Sequence, residues 1–187
     1  IVLTSDAMYF TGVTRDDTIR FDTLMVQRQY AVDPFVAKTD LTGGIKWAKV
    51  FGGTSDDYGV GLALDENRNI YVSGKFYDNF SVDSVIIPSN NYKYDMYLLK
   101  LDSNANLKWL KQSHANGVYG ARAGGITYQN GYIYLTGSFS GNASFGNINV
   151  TSNSINQDMF VAQYDTSGNS LDVYHFGEAQ GFGLQID

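Results

Sequence analysis

One block of eight residues occurs three times in this sequence, and its spacing constrains the fold more than any other feature. DPFVAKTD at 33–40 returns as DMYLLKLD at 95–102 and as DMFVAQYD at 158–165, with offsets of 62 and 63 residues. A second block, NIYVSG at 69–74, returns as YIYLTG at 132–137. Because several blocks recur in one order, the chain is built from structural repeats of about 60 residues.

Each repeat contains four short runs rich in Val, Ile, Leu, Tyr and Phe, separated by Gly, Asn, Asp and Ser, and such runs predict β-strands. No segment has a sustained helical period, so we expect almost no helix. In some runs, such as 96–99, residues of both parities are apolar, which predicts strands buried on both faces. Trp47 and Trp109 are expected at equivalent positions, buried between neighbouring sheets.

Four strands in each repeat favour sheets stacked around an axis, a β-propeller, over a β-sandwich. The predicted fold is therefore all-β, with four-stranded antiparallel blades within one domain spanning 1–187. The blades are expected at about 1–51, 59–113 and 124–177, and 181–187 as the inner strand of a fourth.

Three blades are fewer than the roughly 4–8 of known propellers, so we expect the chain to be a fragment of a larger one. Ile1 already lies within an apolar strand pattern. Further blades of the same polypeptide, or a partner protein, should cover both edges. A two-chain ring is disfavoured, because 184–187 of one copy and 1–4 of the other would compete for the same inner-strand position.

The long connections predict where function resides. The links between the second and third runs of each repeat (14–32, 77–94 and 139–157) should emerge on the same face as the links between repeats. Loops of this kind commonly carry binding residues. We therefore select as candidate ligand-binding or partner-binding residues His114, Asn116, Tyr119, Arg122, Asp56, Asp57 and Tyr58. Three non-recurring aromatic residues, Tyr77, Tyr92 and Tyr94, are further candidates.

Two long segments resemble the SBBP-type β-propeller repeat: SDDYGVGLALDENRNIYVSGKF at 55–76 and DPFVAKTDLTGGIKWAKVFGG at 33–53. The resemblance implies the propeller fold. The family pattern contains no common catalytic residues. The stretch at 137–165 is also similar to repeats of secreted Bacteroidota proteins. That similarity implies a secreted or cell-surface protein, exported by a type IX system.

Composition excludes several classes of function. The formal net charge of −6 and the pI near 4.7 argue against nucleic acid as a partner, since phosphate binding requires a basic surface. The sequence has no Cys, which excludes disulfides, Cys-ligated zinc and thiol catalysis. No apolar run of about 18 residues is present, so no membrane-spanning helix is predicted. We expect no cofactor.

Two further patterns have competing interpretations. Asp65, Asp102 and Asp165 begin the segments DENRN, DSNAN and DTSGN, whose oxygens could bind calcium. Asp and Asn are equally typical of turns, and we favour turns without metal. Asp-Ser/Thr-aliphatic tripeptides, which resemble the O-glycosylation signal of Bacteroidota, place candidate modified residues at Thr18, Thr23 and Ser84.

The leading functional hypothesis is a non-enzymatic structural or protein-interaction module, such as an adhesin segment, of a larger secreted or surface protein. A carbohydrate-binding propeller, with a glycan as partner, is the alternative. An enzyme whose site lies partly outside this fragment is the third.

Overall fold

The computed structural model describes residues 1–22, 24–27, 32–89, 93–152 and 156–177. Within these ranges every regular element is a β-strand and every strand pairing is antiparallel. The predicted all-β fold with antiparallel sheets is confirmed for this part of the chain. None of the described residues forms a helix that could cross a membrane. The proposed strand at 181–187 lies outside the described residues.

The strands follow one another in three similar groups. The first group comprises β1 (Val2–Leu3), β2 (Ala7–Thr14), β3 (Thr18–Phe21), β4 (Leu24–Gln27), β5 (Asp33–Asp40), β6 (Ile45–Val50) and β7 (Gly52–Gly53). The second comprises β8 (Tyr58–Leu64), β9 (Ile70–Tyr77), β10 (Asn79–Val82), β11 (Val85–Pro88), β12 (Tyr94–Leu101) and β13 (Leu107–Ala115). The third comprises β14 (Ala121–Gln129), β15 (Tyr132–Phe139), β16 (Asn142–Phe145), β17 (Ile148–Thr151), β18 (Asp158–Asp165) and β19 (Ser170–Phe176).

Each group forms a four-stranded meander. Sheet 1 has the order β1-β2-β5-β6, sheet 2 the order β8-β9-β12-β13, and sheet 3 the order β14-β15-β18-β19. The register repeats closely: Gly12 pairs with Phe35, Gly74 with Tyr97, and Gly137 with Phe160. The repeated blocks of the sequence therefore occupy equivalent strands.

The sheets stack face to face through two apolar cores. One core joins sheets 1 and 2 and includes Tyr9, Val36, Val72, Tyr97 and Leu99. The other joins sheets 2 and 3 and includes Tyr71, Met96, Leu98, Leu135 and Phe160. Successive residues of β12 thus enter opposite cores, because side chains alternate across a strand. This arrangement accounts for the apolar residues of both parities.

The long links between the second and third strands differ from the sequence-based expectation. They are not irregular loops, because each contains a β-hairpin. The first hairpin is β3–β4, the second β10–β11 and the third β16–β17. The second pairs with β7, at the end of the preceding repeat, and the third pairs with β13 of sheet 2. The second hairpin therefore forms a three-stranded sheet with β7, and the third adds two strands to the outer edge of sheet 2.

The two tryptophans lie at equivalent positions of the outer strands, as predicted. Trp47 pairs with Lys38, and Trp109 with Lys100. The expectation of full burial is wrong, since both side chains are only half-buried. Outer strands are the most solvent-accessible strands of such sheets, and Trp109 uses this position to donate a hydrogen bond from Nε1 to the Thr166 carbonyl, 3.1 Å away in sheet 3.

Candidate functional site

Three tyrosines and two cations form a cluster at one end of sheet 2, hereafter the tyrosine cluster: Tyr58, Tyr77, Tyr94, Lys75 and Arg122. Tyr58 pairs with Lys75 across β8 and β9, and Tyr94 pairs with Tyr77 across β12 and β9. Paired residues lie on one face of a sheet, as do residues two apart in a strand. Arg122 reaches the same face from β14 of sheet 3.

The cations of the cluster lie against its rings. Lys75 Nζ is 4.6 Å from the centre of the Tyr58 ring and 4.4 Å from that of Tyr94. The guanidinium of Arg122 lies 5.6 Å from the Tyr94 ring centre. The rings contact one another edge to face, at 6.2 Å for Tyr58–Tyr94 and 5.5 Å for Tyr77–Tyr94. Cation–π contacts of this kind orient the rings.

Burial perturbs the ionisable groups of the cluster. It lowers the pKa of Lys75, and the positive charge of Arg122 lowers it further. Burial also raises the pKa of Tyr94, with an added effect from Tyr58. The main cause of both shifts is the cost of removing a charged group from water. A side-chain hydrogen bond with Tyr58 contributes to the raised pKa of Tyr94.

A surface depression adjoins the cluster and is lined by Thr54, Ser55, Asp56, Tyr77 and Tyr94. Its lining combines two aromatic side chains with hydroxyl groups and one carboxylate. Sugar rings present apolar C–H faces beside hydroxyls, so aromatic faces flanked by hydrogen-bonding groups suit them. The depression can therefore accommodate a small polar ring-shaped ligand.

The neighbouring Asp57 has a structural environment. It is fully buried and accepts hydrogen bonds from the backbone amides of Gly53 (2.6 Å) and Tyr77 (3.1 Å). Burial raises the pKa of its carboxyl to about 8, against the opposing effect of those two bonds, and nearby Asp33 raises it further. Through these two bonds Asp57 connects the link after β7 to the end of β9.

The structure places most of the predicted binding residues at two separate sites on the surface. Asp56, Tyr58 and Arg122 belong to the tyrosine cluster or its depression. His114 and Asn116 line a different depression, formed where the third hairpin joins β13 and shared with Asn142, Ser144, Asn149 and Thr151. His114 Nδ1 is 3.2 Å from Ser144 Oγ, and Asn116 Oδ1 accepts from the Asn142 amide at 2.8 Å.

Tyr119 lies in neither depression. Its side chain is 43% exposed, and its backbone amide donates to Ser140 Oγ. Lys75, Thr54 and Ser55 were missed by sequence reasoning. Lys75 could have been found because the other two repeats have no lysine at its position. The register places Val13 of β2 and Ser138 of β15 at the equivalent positions. Tyr92 lies outside the described residues.

The three turn aspartates share one hydrogen-bonding pattern. Asp65 Oδ1 accepts from the amides of Asn67 and Asn69, at 3.0 and 2.8 Å. Asp102 and Asp165 bond in the same way to the amides two and four residues later. These bonds engage carboxylate oxygens as acceptors in turns. The described residues contain no group of three His, Asp or Glu side chains able to hold a metal ion.

The candidate glycosylation residues occupy the hairpins. Thr18 is exposed at the start of β3, and Ser84 is exposed in the turn between β10 and β11. Thr23 lies outside the described residues. Both described hydroxyls are therefore placed where a modifying enzyme could reach them.

The sequence model of the SBBP beta-propeller repeat matches residues 46–75. This segment is similar to the SBBP β-propeller repeat. It runs from β6 through β7 and β8 into β9, so the match bridges two sheets and includes Tyr58 and Lys75 of the tyrosine cluster. No curated protein matches this sequence.

Proposed function

We propose that this chain is a non-enzymatic structural and protein-interaction module, consisting of three blades (sheets 1–3) of a larger propeller. It would belong to a secreted or cell-surface protein, with further blades or a partner protein on both edges. The observation that carries the proposal is the apolar outer strand of sheet 3. Leu171, Tyr174 and Phe176 are 46%, 60% and 54% exposed on β19.

Comparison with the other repeats shows how unusual this strand is. The register places Leu171 and Tyr174 where β13 has Lys108 and Lys111, and where β6 has Lys46 and Lys49. Two lysines of the other outer strands are thus replaced by large apolar side chains; in β6, Lys49 binds Asp83 and the Ala105 carbonyl of the next repeat, at 2.7 and 2.8 Å. At the opposite end, Ile1 and Leu3 are 84% and 65% exposed. Exposed apolar patches at both ends support partners at both ends.

A dye-binding experiment tests this proposal. The isolated chain should bind a hydrophobic fluorescent dye, and the double variant Leu171→Lys/Tyr174→Lys should lose about half of the signal or more. Val118→Lys is the control, because Val118 is 79% exposed but lies in a loop. A soluble monomer that unfolds cooperatively and binds no dye would contradict the proposal.

Carbohydrate binding is the second candidate function, and the tyrosine cluster with its depression is the observation that favours it. Two aromatic side chains, two hydroxyls and the Asp56 carboxylate converge there. The contacts of Lys75 with the Tyr58 and Tyr94 rings hold the aromatic surface in place before any ligand binds. Pre-organisation of this kind lowers the entropic cost of binding.

A glycan array tests the second candidate. The Tyr94→Ala variant should bind any recognised glycan about tenfold more weakly or worse, since it loses a stacking surface. Tyr119→Ala removes an exposed tyrosine outside the depression and should bind like the unmodified chain. Unaltered binding by Tyr94→Ala, with circular dichroism confirming both folds, would exclude the cluster as the sugar site.

A further inference from the structure

The second and third hairpins show how one repeat joins the preceding one. In the second, Phe80 and Ser81 pair with Gly53 and Gly52, and Ser81 Oγ donates to the Gly52 carbonyl at 2.6 Å. In the third, Ser144 pairs with His114 of β13, and the Asn116 amide donates to the Asn142 carbonyl at 3.0 Å. Residues that are equivalent between the repeats therefore pair in the same register at both junctions.

The first hairpin has the same construction. Its strands pair Thr18 with Gln27 through Phe21 with Leu24, as Asn142 pairs with Thr151 through Phe145 with Ile148. The first turn residue has a positive φ in all three hairpins: 52° at Asp22, 55° at Asp83 and 60° at Gly146. Arg20 therefore corresponds to Ser81 and Ser144, and Phe21 corresponds to Val82 and Phe145.

The first hairpin nevertheless lacks the partner that the other two have. It forms an isolated two-stranded sheet, and β3 pairs only with β4 among the described residues. Phe21 already packs on Phe10 and Phe35, at 6.2 and 5.6 Å, so the hairpin is seated on its own sheet. Ile19 and Phe21 are only half-buried, whereas Val82 and Phe145 are 1% and 0% exposed.

We infer that the free edge of β3 binds the outer strand of another SBBP-type blade, by antiparallel addition in the register of the two internal junctions. The inference rests on the proposed interaction function and specifies its N-terminal contact. Continuity with the internal junctions identifies the occupant: each equivalent strand, β10 and β16, pairs with the end of an outer strand. Main-chain hydrogen bonds supply affinity in such strand additions, and side-chain packing supplies register.

A disulfide-capture experiment tests the inference, because the chain has no Cys of its own. The probe is a synthetic peptide of residues 107–116, the outer strand of sheet 2, carrying His114→Cys. The full chain carries Arg20→Cys, the position opposite His114 in the inferred register. In a glutathione buffer, we expect this pair to form mixed disulfide at least about fivefold more than a peptide carrying Lys111→Cys, through the raised effective concentration.

The matched control is the Ser144→Cys chain. Ser144 is the equivalent residue of the third hairpin, whose edge β13 already occupies, so it should not favour the His114→Cys peptide. Equal capture by both chains, or equal capture of both peptides, would overturn the inference. Such a result would leave the dye-binding result at β19 unaffected, so failure here is distinguishable from failure of the proposed function.

Discussion

The Phe145→Ala variant should lose about 3–5 kcal/mol of unfolding free energy, the loss typical of a fully buried phenylalanine. Phe145 is 0% exposed at the end of β16. Its ring lies 4.7 Å from that of Phe160 and 6.3 Å from that of Phe139, both in sheet 3. The residue therefore joins the third hairpin to its own sheet while the backbone of the hairpin pairs with sheet 2.

Phe21→Ala is the matched control, because the register makes Phe21 the counterpart of Phe145. Phe21 is half-buried beside an unpaired β3, so its loss should be about 1–2 kcal/mol, in line with the smaller apolar area removed. Pulse proteolysis across a urea series measures both values at concentrations low enough to limit aggregation. Equal losses of unfolding free energy for the two variants would mean that the deeper burial of Phe145 does not determine the size of the loss.

Gly74→Ala should destabilise the protein by about 3 kcal/mol or more, or prevent folding, because a methyl group has no space there. A Cβ at this position would overlap the Tyr58 backbone carbonyl and the Tyr97 hydroxyl. Tyr58 pairs with Lys75 in the β8–β9 ladder, so its carbonyl cannot move without breaking main-chain hydrogen bonds. Tyr97 is fully buried and has little freedom to move.

Gly12→Ala provides the comparison at the equivalent position of sheet 1. There the closest approach is to the Phe35 ring, with a carbon at 3.0 Å. A ring edge can shift by a few tenths of an ångström, so we expect a loss of about 1 kcal/mol. Thermal unfolding followed by tryptophan fluorescence would rank the two variants. A Gly12→Ala loss as large as that of Gly74→Ala would show that the ring, and not the backbone carbonyl, sets the penalty.

Much of the fold could be predicted because the recurring sequence blocks coincide with strands. Blocks such as 95–102 and 158–165 occupy equivalent strands, and their offsets locate the sheets. The hairpins were missed although their sequences alternate: TIRF and NFSV have inward Ile19, Phe21, Phe80 and Val82. The sequences that follow these two runs, DT and DS, lack the Asn-Gly signal of tight hairpins. No local pattern indicates that a hairpin pairs with a different sheet.

The candidate site was only partly predictable for a related reason. Non-recurrence directed attention to Tyr58, Tyr77 and Tyr94, and the structure brings these three rings together. His114 and Arg122 are close in sequence, yet His114 lines the depression beside the third hairpin while Arg122 contacts the Tyr94 ring of the tyrosine cluster, because β13 is an outer strand and β14 an inner one. Closeness in sequence does not indicate whether two residues lie on the same edge of a sheet. Lys75 was overlooked because it lies within a strand.

The second and third hairpins each pair with the repeat that precedes them in the sequence, so the strand pairings form in a fixed order during synthesis. The outer edge at β7 stays open until β10 has left the ribosome, and the end of β13 stays open until β16 follows; the paired residues are 27 to 32 positions apart. At roughly 5–20 residues per second, each edge is unpaired for about 1–6 seconds. Unpaired edges recruit foreign strands. During synthesis from the N-terminus, the hairpin of each new repeat therefore covers the end of the preceding outer strand, so the outer-strand end that is still unpaired belongs to the most recent repeat.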